Sequence, residues 1–277
     1  RSVSAFLLNR SSDLLVIQYE LSDKQRADLS HQASTAFRDV PDLRTLRGAI
    51  EHMPVLEGSL LEVQDISRMM AQRHIPALTA IGMEATEESF KALSGKGMSL
   101  IHLSTHGFYQ PAPAEEHAIT DEPEILLDNN TQTTREDRSL SRSGLLLTGA
   151  ADYLFGNIDN MFSDDGVLTA KEISRLDFQG VDLVVLSACE TGLGDITGEG
   201  VYGLQRGFKK AGAQTLLISL WKVEDDATRV MMTEFYRLLL EGKSKRDAFV
   251  KAQQHLRTAE GGRFNRWECW AAFVMLD

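Results

Sequence analysis

The chain is poor in cysteine: it has only Cys189 and Cys269, and neither belongs to a CxxC pair or to a Cys/His cluster with zinc-ligand spacing. We therefore expect neither a structural zinc site nor a disulfide scaffold, and we expect a reducing compartment such as the cytoplasm. No apolar run reaches about 18 residues and no signal-peptide pattern opens the chain, so no membrane span is predicted. Because the chain begins with Arg1 rather than Met, we expect it to be a fragment of a longer protein.

Several enzyme motifs are also missing or misplaced. There is no Walker sequence G-x-x-x-x-G-K-[ST] and no G-x-S-x-G serine elbow. A cysteine phosphatase loop would need an arginine six residues after the cysteine, where Asp195 stands. Gly198, Gly200 and Gly203 outline a dinucleotide fingerprint, but its first glycine should directly follow a strand, whereas about nine residues intervene here. We interpret these glycines as a tight loop.

The overall composition is that of an ordinary globular protein, with 277 residues, 43% hydrophobic and 25% charged. This length is enough for one large α/β domain with a sizeable core. The net charge of −11 argues against contact with nucleic acid or an anionic membrane, because little positive charge is left to neutralise phosphates. It weakly favours basic peptides as partners.

Apolar strand patterns alternate with helical patterns, which predicts an α/β fold with a mostly parallel central sheet sandwiched by helices. Residues 1–55 are predicted to hold a hairpin over 3–21 and a helix, as an incomplete part of the domain, and 56–277 to form its main body. Residues 110–143, with three prolines and many acids, are predicted to be a long mobile loop. The predicted helices and strands from residue 56 onward are, in order, "LEGSLLEVQDISRMMAQR", "IPALTAIG", "ATEESFKALSG", "GMSLIHLSTHGF", "DDGVLTAKEISRL", "VDLVVLSA", "GVYGLQRGFKKAG", "QTLLISLW", the helix 225–240, "SKRDAFVKAQQHLR" and "WECWAAFVMLD".

Two of the predicted strands deliver reactive side chains to their carboxyl ends, where sites form in open α/β sheets. The strand ending near Leu103 leads to His106, and the strand ending near Ala188 leads to Cys189. If the strands are parallel neighbours, their ends lie about 5 Å apart. An imidazole beside a thiol raises its thiolate fraction, which suits a cysteine nucleophile. The N–H groups of Gly107 and Cys189 are candidate donors for an oxyanion hole.

The other cysteine and a second histidine have simpler interpretations. A cysteine at the end of an apolar run is often only a small core residue, so a packing role for Cys189 stays open on this context alone. Cys269, between two tryptophans, is predicted to be a core residue. His102, within the strand, is predicted to be packed or hydrogen-bonded in the core.

The segments "LIHLSTHGF", "GVLTAKEISRL", "LVVLSACETGLGD", "SLWKVEDDAT" and "WAAFVMLD" resemble the CHAT family of caspase-like cysteine peptidase domains, which are often attached to tetratricopeptide repeats. The resemblance covers about residues 56–277 and implies a caspase-hemoglobinase fold, with His106 and Cys189 as the dyad and caspases, separases and gingipains as relatives. Such domains usually carry further strands before the "LEGSLLEVQDI" helix, including a "PDG…LPFEAL"-like segment, which residues 22–55 lack.

The resemblance also implies a function: a cysteine endopeptidase that cleaves a protein substrate under the control of a partner protein or an attached repeat region, in bacterial defence or programmed death. By similarity to separases, Asp225 is the candidate for holding a P1 arginine, with Glu224 and Trp221 beside it. This chemistry requires no metal or organic cofactor. The alternative is a catalytically silent caspase-like scaffold that binds a partner.

The three arginines of the 110–143 span are candidate cleavage sites for the protein itself if the preferred P1 residue is basic. Arg135, Arg138 or Arg142 would then be the point of self-cleavage in an activation linker. The alternative is an insertion that is never processed.

Overall fold

Strands and helices alternate along the chain, and the structure, a computed structural model, describes residues 5–10, 57–111, 126–128, 131–133, 135–155, 164–187, 194–197 and 200–277. The strands are β1 (Ala5–Arg10), β2 (Ala77–Ile81), β3 (Met98–Ser104), β4 (His106–Tyr109), β5 (Leu126–Asp128), β6 (Thr131–Thr133), β7 (Ser143–Leu146), β8 (Val167–Thr169), β9 (Leu183–Leu186), β10 (Gly194–Thr197), β11 (Gly200–Gly203), β12 (Thr215–Ser219) and β13 (Phe273–Leu276). The helices are α1 (Glu57–Gln72), α2 (Glu87–Lys91), α3 (Arg135–Ser141), α4 (Ala150–Phe155), α5 (Ala170–Ile173), α6 (Leu204–Ala211), α7 (Asp225–Leu240), α8 (Lys245–Thr258) and α9 (Trp267–Trp270).

The main sheet has six strands in the order β13-β12-β9-β3-β1-β2. Its three central strands, β12, β9 and β3, are parallel, whereas β13 and β1 run against their neighbours. Because β2 is antiparallel to β1, it points the same way as the central strands. The prediction of a mixed α/β fold with a mostly parallel central sheet is confirmed. The finer assignment to the caspase-hemoglobinase fold stays a prediction.

Helices cover both faces of this sheet, because alternate side chains of its buried strands point to opposite sides. One apolar cluster joins Val185 and Leu217 to α1, α7 and α8. The other joins Val184 and Leu216 to α2, α5 and α6, and a T-shaped contact between Phe90 and Phe178 lies within it. The central strands are therefore covered on both faces, mostly by apolar side chains, as the apolar runs of β9 and β12 predict.

Helix starts follow the capping signals of the sequence. The side chain of Thr86 accepts a hydrogen bond from the Ser89 N–H, and Thr169 accepts one from Glu172, each within a reciprocal capping box. The predicted helix 225–240 is observed with the same bounds. Within the described part of the chain, no helix has both the length and the apolar character that a membrane span needs.

Two predicted elements differ near their starts. The helix predicted from Gly200 begins at Leu204, since Gly200–Gly203 instead pairs with Gly194–Thr197 as an antiparallel hairpin. Glycine is a poor helix former, and Gly203 is the extended residue that caps α6. The closing strand "WECWAAFVMLD" is in fact a short helix, α9, followed by β13.

Regular structure extends into the span 110–143 that the sequence predicts to be a mobile loop. The short hairpin of β5 and β6 and the helix α3 lie within it, and Leu140 and Arg142 are buried. Because Arg142 is buried, it is not an accessible cleavage point in this structure. Residues 112–125, 129–130 and 134 of this span lie outside the described residues.

The N-terminal part of the chain contributes β1 to the main sheet, where it lies between β3 and β2. The remainder of the predicted hairpin and the helix that follows it belong to residues 11–56, which lie outside the described part of the chain. The strand that begins the chain and the strands of the main body therefore share one sheet.

Candidate active site

The two strands predicted to carry the dyad are parallel neighbours. Leu103 of β3 is in register with Leu186 of β9, and the Ser187 N–H extends the ladder by donating to the Leu103 carbonyl at 3.0 Å. In sequence, His106 comes three residues after Leu103, and Cys189 comes three residues after Leu186. The condition on which the predicted dyad depended, adjacent parallel strands, is met. Cys189 itself lies outside the described residues, so the pairing with His106 stays a prediction.

His106 is the first residue of β4, which leaves the main sheet and joins a small antiparallel sheet of order β4-β7-β8. The change of sheet occurs at the buried Thr105, whose hydroxyl donates to the Leu146 carbonyl at 2.5 Å. His106 lies opposite Leu146 and is buried, and Gly107 is partly exposed. This turn fixes the imidazole at the edge of the main sheet, where a ligand site is expected.

Asp225, the first residue of α7, lies at the same edge. Its carboxylate accepts a hydrogen bond from the Gly58 N–H at the start of α1. Burial and the charge of Glu62 raise the pKa of Asp225, whereas the Gly58 hydrogen bond and the charge of His106 act to lower it. Asp225 and His106 are therefore close enough to interact electrostatically.

The other two predicted substrate-binding residues are engaged elsewhere. Glu224 is half-exposed, and its carboxylate lies 2.9 Å from the Arg266 guanidinium and 3.8 Å from that of Arg263. Trp221 donates its indole N–H to the Glu268 carbonyl at 2.8 Å and packs edge-on against Trp267. The charge of His106 acts on the Asp225 carboxylate.

His102 is fully buried in β3, and the prediction of a hydrogen-bonded core histidine is confirmed. Its Nδ1 lies 3.1 Å from the Tyr236 hydroxyl, and its Nε2 lies 2.8 Å from Glu62 Oε1. The sequence analysis did not single out Glu62. The available signal was a carboxylate one position before Val63 and four before Ile66, on the face of α1 that packs against the sheet.

A second buried charged cluster, also missed from the sequence, surrounds Lys91 at the end of α2. Its Nζ lies 2.6 Å from Glu87, 2.9 Å from Glu172 and 3.4 Å from Asp164. Burial raises the pKa of Asp165 to about 8 and that of Asp164 to about 6. Among the described residues, no group of three or more His, Cys, Asp or Glu side chains is arranged to hold a metal ion.

Cys269 and the dinucleotide-like glycine pattern both have structural roles. Cys269 is buried in the cluster under α7 and α8, as predicted for a core residue. Gly200 and Gly203 of the dinucleotide-like pattern lie in the paired strand β11 of a hairpin, whereas the fingerprint requires its glycines in the turn between a strand and a helix. Gly198 lies outside the described residues.

The chain also has recognisable relatives. Residues 3–277 match the CHAT domain. Among curated proteins, the chain is 34% identical over 110 residues to Tetratricopeptide repeat protein 28 of Homo sapiens, and 32% identical over 110 residues to the Mus musculus protein of that name. These alignments cover 40% of this chain and 4% of each relative, so the chain spans a small fraction of the curated relatives that it matches. Since the domain match extends over nearly the whole sequence, the chain belongs to the CHAT domain family.

Proposed function

We propose that this chain is a cysteine endopeptidase domain in which Cys189 is the nucleophile and His106 the proton carrier. The observation that carries the proposal is the register of β3 and β9, because it brings to one sheet edge the ends of the two strands that lead to these residues. A buried imidazole beside a strand end is also what a thiolate needs nearby. Membership of the CHAT domain family agrees with this chemistry.

In the proposed reaction, the Cys189 thiol gives its proton to His106 and the thiolate sulfur attacks the scissile carbonyl carbon, so that the carbonyl electron pair moves onto the oxygen. The N–H groups of Gly107 and Cys189 donate to that oxyanion. As the C–N bond breaks, His106 gives its proton to the leaving amine. His106 then takes a proton from water, whose oxygen attacks the thioester carbon; the C–S bond breaks, the acid product leaves, and His106 returns the proton to the Cys189 thiolate.

We further propose that Asp225 binds a basic P1 side chain, Arg in preference to Lys. Its carboxylate is half-buried and interacts electrostatically with His106. A guanidinium can bind a carboxylate through two parallel hydrogen bonds. By contrast, the Glu224 carboxylate already pairs with Arg266, so its contribution to substrate binding is expected to be smaller.

Control by an attached repeat region or an activating partner is part of the same proposal. The curated relatives are named as tetratricopeptide repeat proteins, and this chain matches only 4% of their length. The proposed enzyme therefore acts as one domain of a larger protein or assembly, on a protein or peptide substrate.

A peptide library with every residue type at P1 tests the function. We expect cleavage after Arg and Lys, abolished by Cys189→Ala, and a preference for basic P1 that is lost in Asp225→Asn. The matched control is Asp226→Asn, since Asp226 is the exposed neighbour whose carboxylate pairs with Arg263 at 3.0 Å. Cleavage that is unchanged in Cys189→Ala would overturn the peptidase proposal. Cleavage after other residues would overturn the Asp225 assignment, and no cleavage in the presence of the repeat region would favour the scaffold alternative.

A further inference from the structure

His102 is the centre of a buried polar network that the proposed reaction does not use directly. Both ring nitrogens of this fully buried imidazole face polar groups: Nε2 lies 2.8 Å from Glu62 Oε1, and Nδ1 lies 3.1 Å from the Tyr236 hydroxyl. The His102 and Tyr236 rings also pack edge to face, with their centroids 5.4 Å apart. The Ser187 hydroxyl completes the network at 3.4 Å from Nε2.

Each member of this network comes from a different element of the fold. Glu62 belongs to α1, Tyr236 to α7, His102 to β3, and Ser187 directly follows β9. One imidazole therefore connects α1 and α7, which pack on the same face of the sheet, to the neighbouring strands β3 and β9. In sequence, β3 leads to His106 and β9 leads to Cys189, and α7 begins at Asp225.

A contribution to stability does not by itself explain why these polar groups are buried here. Around them the same helices and strands pack Val63, Val185 and Phe235 into an apolar cluster. Burying polar groups there costs free energy, which their mutual contacts offset only if the geometry is kept. A polar network of this kind imposes one arrangement on the elements it joins, which apolar side chains would do less strictly.

The network also reaches the candidate site electrostatically. Burial, with a smaller contribution from the charge of Glu62, raises the pKa of Asp225 and that of Tyr236. Because burial keeps the Tyr236 hydroxyl protonated, this hydroxyl can donate to Nδ1 of His102. Glu62 lies one helical turn after Gly58, whose N–H donates to the Asp225 carboxylate.

We propose that His102, held between Glu62 and Tyr236, is a positioning residue that fixes the ends of β3 and β9 and thereby aligns His106 with the nucleophile. This proposal rests on the proposed cysteine-peptidase function. His102 does not touch substrate; it acts through the two strands, four residues before His106 and beside the Ser187 that precedes Cys189 by two.

The test measures the dyad without requiring a known substrate. In a Cys269→Ala background, the rate of Cys189 alkylation by iodoacetamide is followed against pH, and the melting temperature is recorded for every variant. Tyr236→Phe removes only the hydroxyl, and Glu62→Gln removes the charge while keeping the shape. The matched control is Phe235→Leu, which changes an equally buried residue on α7 whose ring packs against Tyr236 but makes none of the polar contacts of the network.

With the network intact, we expect Cys189 to react at pH values well below the pKa of an ordinary thiol, which is about 8.5. Tyr236→Phe and Glu62→Gln are expected to lower the alkylation rate at pH 6 about tenfold, as misplaced reacting groups do. In Phe235→Leu the melting temperature falls while the pH profile keeps its shape. Either network variant that retains its fold suffices for the comparison.

The possible failures are distinguishable. If Cys189 with the intact network titrates as an ordinary thiol, the proposed peptidase function fails together with its dyad. If Cys189 is activated and both network variants keep the same profile, the function stands and the positioning role of His102 is overturned. An equal loss of low-pH reactivity in Phe235→Leu would also overturn it, because the effect would then follow from general destabilisation.

Discussion

His106 and Asp225 interact electrostatically across two separate elements, the first residue of β4 and the first residue of α7. The interaction between two ionisable groups shifts the pKa of each group by the same free energy. Since an imidazolium at His106 lowers the pKa of Asp225, the Asp225 carboxylate must raise the pKa of His106. In the proposed reaction this favours the protonated imidazole that gives its proton to the leaving amine.

Asp225→Asn is therefore expected to lower the pKa of His106. The asparagine keeps the shape and an acceptor for the Gly58 N–H but removes the charge. NMR titration of the His106 ring protons, assigned with His106→Gln, measures the change. The alkaline limb of the pH–activity profile should move to lower pH in the same variant, because the imidazolium is lost earlier.

The control for this titration is Asp226→Asn, which removes the same charge one residue further along, where the carboxylate is exposed and pairs with Arg263. We expect the His106 titration to change little. Equal midpoints in Asp225→Asn and the unmodified protein would contradict the interaction.

Gly58→Ala is expected to displace Asp225. A Cβ at Gly58 would lie 2.7 Å from the Asp225 Cβ, which is closer than such atoms approach, and 3.2 Å from its Cγ, which is a tight contact. An exposed glycine in a helix usually gains stability on replacement by alanine, but this overlap should cost about 1–3 kcal/mol instead. Urea unfolding measures the loss, and the ratio of basic to neutral P1 cleavage measures the displaced carboxylate.

Leu61→Ala is the control for Gly58→Ala, since Leu61 lies on the same helix but is 43% exposed. Its unfolding free energy should change by less than about 0.5 kcal/mol and its P1 preference should not change. A Gly58→Ala variant that is as stable and as selective as Leu61→Ala would show that α1 and α7 can move apart freely here.

The parts of the fold that could be predicted are those specified by local pattern. The mostly apolar run before Ser104 and the continuous apolar run before Ser187 predict buried strands, because a strand covered on both faces needs no polar alternation. The capping residues Thr86, Thr169 and Ser244 mark helix starts through contacts within three residues. That the strands leading to His106 and Cys189 end at one edge could also be predicted, because parallel neighbours in an α/β sheet do so, whereas the pairing of the two residues stays a prediction.

The rest depends on contacts between distant segments. The strand Gly200–Gly203 has no strand-like run of its own and exists through pairing with Gly194–Thr197. Nothing near Glu62 in the sequence indicates His102 as its partner, and nothing near Lys91 indicates Asp164 or Glu172. These ion pairs become visible only when packed elements bring them together, which local periodicity does not encode.

Lys91→Met should destabilise the protein strongly. The lysine Nζ is buried among three carboxylates, Glu87, Glu172 and Asp164, and its removal leaves their charges without a nearby cation. Breaking a buried ion cluster in this way typically costs about 3–5 kcal/mol. Urea unfolding at pH 7.5 and at pH 5 measures the loss, which should be smaller at pH 5 because the carboxyls then bind protons.

Lys243→Met, at an exposed position after α7, is the control for this loss of a positive charge. Its unfolding free energy should change by less than about 0.5 kcal/mol at both pH values. If Lys91→Met cost no more than the control, the carboxyl groups around it would have to be uncharged already at neutral pH.

The same cluster predicts that the protein loses stability as the pH rises from about 5 to about 8. Burial, followed by the charge of Glu172, raises the pKa of Asp165 to about 8, and burial raises that of Asp164 to about 6, from an ordinary value near 3.8. The folded state therefore keeps protons that the unfolded chain releases near pH 4. The stabilisation is complete below that pH and is lost as the pH passes the folded-state values.

Asp165→Asn should flatten this pH dependence. Asparagine cannot ionise, yet its Oδ1 can still accept the hydrogen bond that Asp165 receives from the Val167 N–H at 2.7 Å. Between pH 5 and pH 8 the variant should lose about 3–4 kcal/mol less stability than the unmodified protein. Urea unfolding at half-unit pH intervals gives the two curves.

Asp177→Asn is the matched control, because the exposed Asp177 makes the same kind of contact, accepting from the Gln179 N–H at 3.1 Å. If the Asp165→Asn curve ran parallel to that of the unmodified protein, Asp165 would be ionised across this whole range and Lys91 would have to balance its charge.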